Sequence, residues 1–292
     1  MGYRGFVFPR WLLLSAAPWP ALLLGAWLMR GNGVPAAQWG QNLAAGLALW
    51  VICVGGRTVR WPLVRAAWWV VPAVLSVVLL QATFLDPGDS SVHRWVQAGA
   101  VRMYAAAVCL PVLVIALGRL LQPPAGNTSR AFVRAISLAA VVLLARQPDA
   151  AQATAFGGAL LVLLCFYRRP AWPVVLTVLI VAACVAWTWT RPDPLEPVIH
   201  VEKIVGVAGQ RGALWLLAAL ASLALLPWPF LLARDPEGGP SPENLALATY
   251  FWLEMLAPAF GAFPVPLLGY GLSPILGYFL ALGWSLGGRR DS

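Results

Sequence analysis

One carboxylate stands where an apolar stretch of the chain begins. The segment Arg146-Gln147-Pro148-Asp149 separates an apolar run over 135–145 from a second run over 150–166. A carboxylate at the edge of a membrane span is costly unless it meets water, a cation or a substrate. Asp149 could therefore act as a general base towards a hydroxyl group, or it could bind a divalent cation such as Mg²⁺ or Mn²⁺. It could equally cap a helix, because an Asp at this position accepts from unpaired backbone N–H groups.

Basic side chains flank the same boundary. Arg94 and Arg146 are candidates for binding a pyrophosphate group, because a guanidinium can donate two parallel hydrogen bonds to phosphate oxygens. Arg102 and Lys203 are weaker candidates for the same role. The alternative for each is an interfacial cation whose stem lies along apolar surface while its charge reaches water.

Glu254 lies inside an apolar segment, where a carboxylate marks a functional site by default. We favour a structural or cavity-lining role for Glu254 over a direct part in the function. The chain has only two histidines, His93 and His200, which argues against a metal site built from histidines. Its four cysteines all fall in predicted spans and are interpreted as small buried residues.

The composition predicts an all-α, polytopic membrane protein. Hydrophobic residues make up 60% of the chain and charged residues 11%, against about 25% charged residues in a soluble domain. We predict one transmembrane domain over residues 1–292, with about ten helices that each approach the length needed to cross a bilayer. The predicted spans are 11–29, 42–56, 67–84, 103–121, 131–146, 151–167, 171–189, 212–233, 243–260 and 267–287.

The arrangement of basic residues predicts that both termini lie in the cytoplasm. With this orientation thirteen cations fall inside and seven outside, which follows the positive-inside rule. The net charge of +9 is therefore interpreted as a topology signal, and nucleic acid is not an expected partner. The predicted inner cations are Arg4, Arg10, Arg57, Arg60, Arg65, Arg119, Arg130, Arg134, Arg168, Arg169, Arg234, Arg289 and Arg290.

The predicted outer connections are richer in polar chemistry than the inner ones. They cover 85–102, the turn at Asp149, 190–211 and 263–274. Prolines and glycines exclude a regular helix in the last of these, and such backbone is tolerated at membrane depth only beside protein or a water-filled cavity. We therefore predict that the segments near Arg94, Asp149 and Tyr270 converge on one outward-facing cavity.

Three segments resemble, in order, elements of the SEDS family of shape, elongation, division and sporulation proteins. Residues 93–99, H-R-W-V-Q-A-G, resemble the family's S-R-W-I-x-x-G element. Residues 147–149 resemble its Q-P-D-L-G-T-A element, and 263–274 its L-P-F-x-S-Y-G-G-S-S element. The chain departs from the family at 101–104, where a glutamate is missing, and at 150–152, where Ala-Ala-Gln replaces Leu-Gly-Thr.

The resemblance implies a glycosyltransferase of cell wall synthesis, shape or division that polymerises lipid II at the outer face of the bacterial inner membrane. It implies a class B penicillin-binding protein as partner, with membrane lipids and a polyprenyl-linked glycan as further contacts. Asp149 would be the catalytic or metal-linked carboxylate, and Tyr270 would lie at the substrate site.

Two other functions stay open at the level of sequence. The chain could be a non-catalytic scaffold that kept the fold to bind a partner, or a flippase for a lipid carrier. A hydrophobic groove leading to Asp149 would favour the enzyme, and a hydrated path at Glu254 would favour transport. Asp149 capping its helix without a cavity would favour the scaffold.

Overall fold

A computed structural model describes residues 9–56, 66–85, 92–99, 101–167, 172–191, 195–233 and 238–287. Several charges used in the topology prediction lie outside these ranges, so the orientation of the chain still depends on the sequence argument alone. These charges are the cations Arg4, Arg57, Arg60, Arg65, Arg168, Arg169, Arg234, Arg289 and Arg290.

Helices dominate the described part of the chain. Each predicted span contains one or two of them, and α9 lies in the predicted connection 190–211. They are α1 (Arg10–Ser15), α2 (Trp19–Gly31), α3 (Ala36–Gly56), α4 (Val70–Ala82), α5 (Ala105–Leu121), α6 (Asn127–Arg146), α7 (Ala150–Phe166), α8 (Trp172–Thr190), α9 (Ile204–Gln210), α10 (Ala213–Ala224), α11 (Trp228–Leu232), α12 (Pro242–Leu256) and α13 (Leu272–Gly287).

The prediction of a polytopic helical membrane protein is confirmed. Within the described ranges, five helical segments are long and apolar enough to cross a membrane: Arg10–Gly31, Ala36–Gly56, Ala67–Leu85, Asn127–Arg146 and Trp172–Thr190. Four shorter apolar helices, α5, α7, α10 and α13, accompany them. The number of crossings and the cytoplasmic placement of both termini stay predictions.

Prolines divide two of the predicted spans. Helix α2 begins after Pro18, with Pro20 in its first turn, and α11 begins after Pro227, with Pro229 in its first turn. A proline has no N–H to donate, and its ring clashes with the preceding turn, so it interrupts a helix but suits the start of the next one.

The core of the bundle is formed by α5, α7, α12 and α13. Most of α5 is buried, and α7 packs along α12. Small residues allow close contact between backbones, as at Gly277, where an added Cβ would overlap the Ala107 carbonyl of α5. Membrane helices associate through this kind of packing because lipid removes the hydrophobic driving force between them. The central helices therefore hold any polar group on their inner faces away from lipid.

Two short strands precede α5, where the sequence analysis predicted a loop followed by a helix from residue 103. Strand β1 (Trp95–Ala98) pairs antiparallel with β2 (Val101–Tyr104), so that Trp95 lies opposite Tyr104. Gly99 has a φ of 61°, which glycine adopts without strain and which allows the tight turn. The prediction that Met103 and Tyr104 are helical was wrong, because pairing with β1 extends the backbone.

Two other boundaries differ from the prediction. Helix α9 forms inside 190–211, which was predicted as a loop. Helix α13 begins at Leu272 rather than at 267, because the preceding segment runs through turns and Leu267 has a φ of 61°. The predicted irregular backbone before the last helix is present up to Gly271.

Candidate functional site

Asp149 lies at the N-terminus of α7 and is completely buried. One carboxylate oxygen, Oδ1, accepts a hydrogen bond of 3.3 Å from the backbone N–H of Gln152. The other, Oδ2, accepts a hydrogen bond of 2.5 Å from the Tyr104 hydroxyl. The helix cap expected from the sequence is therefore present, and it shares the carboxylate with a phenol that the sequence analysis did not consider.

The β1–β2 hairpin brings two more polar groups to this position. Arg94, just before β1, is buried, and its Nη2 donates to the Pro148 carbonyl at 2.6 Å. The backbone N–H of Tyr104 donates to Ser273 Oγ at the start of α13, at 2.9 Å. Three segments that are far apart in sequence thus meet around Asp149. A buried guanidinium in this position also offsets the cost of burying a carboxylate.

Hydrogen bonds to residues at the end of α4 hold the turn that carries Asp149 in place. The Gln147 amide donates to the Leu80 carbonyl at 2.9 Å and to Thr83 Oγ1 at 2.8 Å. Pro148 has a φ of 22°, far from the value of about −65° that its ring prefers. Backbone strain of this kind persists only where the surroundings impose it, and it is concentrated at functional sites.

A hydrogen-bonded chain continues from Asp149 into the bundle. The Gln152 side chain donates a hydrogen bond of 2.9 Å from Nε2 to Glu254 Oε1. Its Oε1 accepts a hydrogen bond from the Tyr250 hydroxyl. Glu254 and both of these partners are buried. Sequence reasoning found Glu254 but missed Tyr104, Gln152 and Tyr250. A signal existed for Gln152, since a Gln three residues after a capping residue is part of a known helix-start pattern.

Arg146 has different surroundings from Arg94. It lies on the exposed side of α6, with its guanidinium carbon 5.1 Å from the centre of the Phe84 ring. Phe84 in turn lies 5.1 Å from His93, measured between ring centres. Arg102 is also set apart, 4.3 Å over the Trp95 ring. Arg94 is thus buried on the Pro148 carbonyl and Arg146 is exposed beside Phe84, and a pyrophosphate site shared by the two arginines stays a prediction.

Tyr270 belongs to a second polar cluster. Its hydroxyl donates to Gln41 Oε1 at 3.1 Å, and its backbone N–H donates to the His200 carbonyl at 2.9 Å. Partial burial lowers the pKa of His200 below its ordinary value. Lys203 is exposed, immediately before α9. The third predicted segment thus reaches the Asp149 cluster through Ser273 rather than through Tyr270.

A cation site at Asp149 stays a prediction. No group of three or more His, Cys, Asp or Glu side chains gathers to bind a metal ion in the part of the chain that the structure describes. Mg²⁺ is usually held by one or two carboxylates together with water and substrate phosphates. A cation at Asp149 would therefore depend on oxygen ligands from a bound substrate.

Comparison with known proteins identifies the fold. No family model matches the sequence, and no curated protein matches it. The rod shape determining protein RodA of Thermus thermophilus has a similar structure, with 17% identity over 96% of both chains and a TM-score of 0.67. An aspartate-to-alanine mutant of that protein matches over 97% of both chains, with 16% identity and a TM-score of 0.67. A structure of a peptidoglycan synthase complex, which coordinates polymerisation and crosslinking, is also similar, with a TM-score of 0.66 and 18% identity. This match covers 97% of this chain and 98% of the other chain. The fold expected from the SEDS resemblance is confirmed.

Proposed function

We propose that this chain, which has the RodA fold along nearly its whole length, is a divergent and compact SEDS protein of peptidoglycan synthesis at the bacterial inner membrane. One observation carries the proposal. The three segments that resemble SEDS elements are distant in sequence, yet Arg94, Asp149 and Ser273 from these segments surround Tyr104 and the Asp149 turn. The shared fold, together with the convergence of these three segments, supports the same kind of site.

The reaction we propose is glycosyl transfer from a polyprenyl pyrophosphate donor such as lipid II. The acceptor hydroxyl attacks the sugar carbon that bears the pyrophosphate, the bond to the pyrophosphate breaks, and the hydroxyl proton passes to the Asp149 carboxylate. Because Asp149 is fully buried, the proton would travel through the Tyr104 hydroxyl. A base positioned in this way typically contributes about 10²–10⁴ to the rate.

Arg94 has two roles in this proposal. It fixes the Asp149 turn through the Pro148 carbonyl, and its positive charge lowers the cost of negative charge that develops near the cluster. Tyr270, in the second polar cluster, and Lys203, exposed just before α9, would bind the polyprenyl-linked glycan. We further propose a class B penicillin-binding protein as the partner, since a similar fold occurs in a peptidoglycan synthase complex.

A specific observation also favours the non-catalytic scaffold. Asp149 caps α7, and each of its oxygens already accepts a hydrogen bond, from Gln152 and from Tyr104. A carboxylate used in this way stabilises the helix start without any chemistry. A transport role gains less support, because Glu254 is buried against Gln152 on the inner face of α12.

Polymerisation of lipid II in liposomes, with and without an added class B penicillin-binding protein, separates the two candidates. We expect Asp149→Asn and Tyr104→Phe each to lower the rate at least about 10²-fold. Asp149→Asn should change the melting temperature little, because Asn caps a helix nearly as well as Asp, whereas Tyr104→Phe takes a donor from a buried carboxylate and should lower it. Ser241→Ala is the matched control, since Ser241 caps α12 in the same way by accepting from Asn244 N–H. Wild-type rates in Asp149→Asn, or no polymerisation by the wild type with its partner, would support the scaffold instead.

A further inference from the structure

An apolar groove opens on the lipid-facing side of the bundle, between α4 and α6. It has a volume of about 430 Å³ and is lined by Val77, Val78, Gln81, Ala139, Val142 and Leu143. The side chains of Val78 and Val142 are 55% and 43% exposed. Both helices belong to segments long and apolar enough to cross a membrane, so the groove opens towards the hydrocarbon of the bilayer.

The groove is lined by apolar side chains except for Gln81, and a cation follows its lining residues on α6. Arg146 follows Val142 by one helical turn on α6, and it is exposed at the end of that helix. Its guanidinium lies against the Phe84 ring, which follows Gln81 at the end of α4. Stacking on an aromatic ring holds the guanidinium in place while its N–H groups stay available for an anion.

The two walls of the groove are connected at this end. The Gln147 side chain, which directly follows α6, donates to Leu80 and Thr83 at the end of α4. The spacing between Arg146 and the apolar lining is therefore fixed by buried hydrogen bonds. A fixed cation above a fixed apolar groove matches a ligand with a negative head and a hydrocarbon tail.

We propose that this groove binds one acyl chain of an anionic phospholipid, with the headgroup phosphate on Arg146. A hydrocarbon chain gains little by leaving lipid for an apolar groove, because the two environments are equally apolar. Selectivity must therefore come from the headgroup, where a guanidinium pairs with phosphate oxygens. Gln81 supplies an amide within the groove for the ester oxygens of the same lipid. The headgroup position lies next to the Asp149 turn, and lipid binding there does not require glycan polymerisation.

Lipid binding to the purified full-length protein tests this proposal. Native mass spectrometry would compare phosphatidylglycerol with phosphatidylcholine of the same acyl chains, and melting temperature would be measured with each lipid. We expect the wild type to bind phosphatidylglycerol preferentially. Arg146→Gln should weaken this binding on the order of fivefold, the effect of about one surface charge, and Val142→Trp should abolish it by filling the groove.

Arg191 provides a matched control for the cation. Its guanidinium carbon lies 5.1 Å from the centre of the Trp187 ring, the same distance as between Arg146 and Phe84. Leu179→Trp, at a position on α8 that is 62% exposed, controls for adding an indole to a lipid-facing surface. Both Arg191→Gln and Leu179→Trp should retain the wild-type preference for phosphatidylglycerol.

Two results would overturn the proposal. Equal losses in Arg191→Gln and Arg146→Gln would mean that any interfacial arginine attracts anionic lipid, and unchanged binding in Val142→Trp would mean that the groove is not the site. If Val142→Trp does not fold, Ala139→Leu fills part of the same groove with a smaller side chain and must weaken binding for the proposal to stand. Failure of these tests would leave the proposed function untouched, since none of them measures polymerisation.

Discussion

Helix α12 carries two buried glutamates that bind the same kind of partner at opposite ends of the helix. Glu243 accepts a hydrogen bond of 2.8 Å from the Gln122 amide, and Glu254 accepts one of 2.9 Å from the Gln152 amide. The two side chains are 2% and 5% exposed. Residue type, burial and partner are therefore nearly the same at the two sites.

The surroundings of the two glutamates differ in ways that change what each can do. Glu243 lies in the first turn of α12, after the Ser241 cap, where the helix dipole favours a negative charge. Glu254 lies in the last turn, where the dipole disfavours one, and it is connected through Gln152 to a second buried carboxylate, Asp149. We therefore expect Glu243 to stabilise the start of α12, and Glu254 to belong to the candidate site.

The largest difference in stability between the two ends of α12 should come from replacing the two glutamines, Gln152 and Gln122. Gln152→Leu leaves two buried groups without their partner, Glu254 and the Tyr250 hydroxyl, and each unsatisfied group costs about 1–3 kcal/mol. Gln122→Leu affects only Glu243, across a hydrogen bond that is partly buried. Thermal unfolding in detergent should show a clearly larger loss for Gln152→Leu. Equal losses would mean that the Asp149 cluster is no more tightly coupled than the other end of the helix.

Adding a methyl group beside α12 tests how firmly each end is packed. A Cβ at Gly118 would overlap the Cγ of Glu243, whereas one at Gly158 would overlap the terminal Cδ1 of Leu253. The leucine can change rotamer, but moving Glu243 breaks its bond to Gln122. We expect Gly118→Ala to cost about 1–3 kcal/mol, as overpacking does, and Gly158→Ala less. The reverse order of melting temperatures would refute the fixed position of Glu243.

The smallest difference in melting temperature should come from replacing each of the two glutamates by glutamine. Glu254→Gln keeps a side-chain oxygen that can accept from the Gln152 amide, so it should leave the melting temperature nearly unchanged. Glu243→Gln removes the acidic residue from the first turn of α12, where such a residue contributes about 0.3–1 kcal/mol. Thermal unfolding of both variants in the same detergent checks this contrast, and a larger loss in Glu254→Gln than in Glu243→Gln would contradict it.

Much of the helical architecture could be predicted because the bilayer restricts the chain so strongly. A span must be apolar and must satisfy its own backbone hydrogen bonds, so hydropathy alone locates it. The hairpin at Trp95–Tyr104 was not predicted, because two strands of four residues have no hydrophobic period long enough to read. The sequence also did not distinguish the surroundings of Arg94 and Arg146. The structure buries Arg94 on the Pro148 carbonyl and leaves Arg146 exposed beside Phe84.

The sequence by itself determined the apolar spans and the cap at Asp149, because both depend on neighbours within a turn or a run of the chain. Only the tertiary structure decided which groups meet the carboxylate. Tyr104, Arg94 and Glu254 are brought together by hydrogen bonds between residues 45, 54 and 102 positions apart. These contacts arise from close packing of α5, α7, α12 and α13 around buried polar groups that must find partners. No local pattern encodes that choice, since it depends on which helix faces come together.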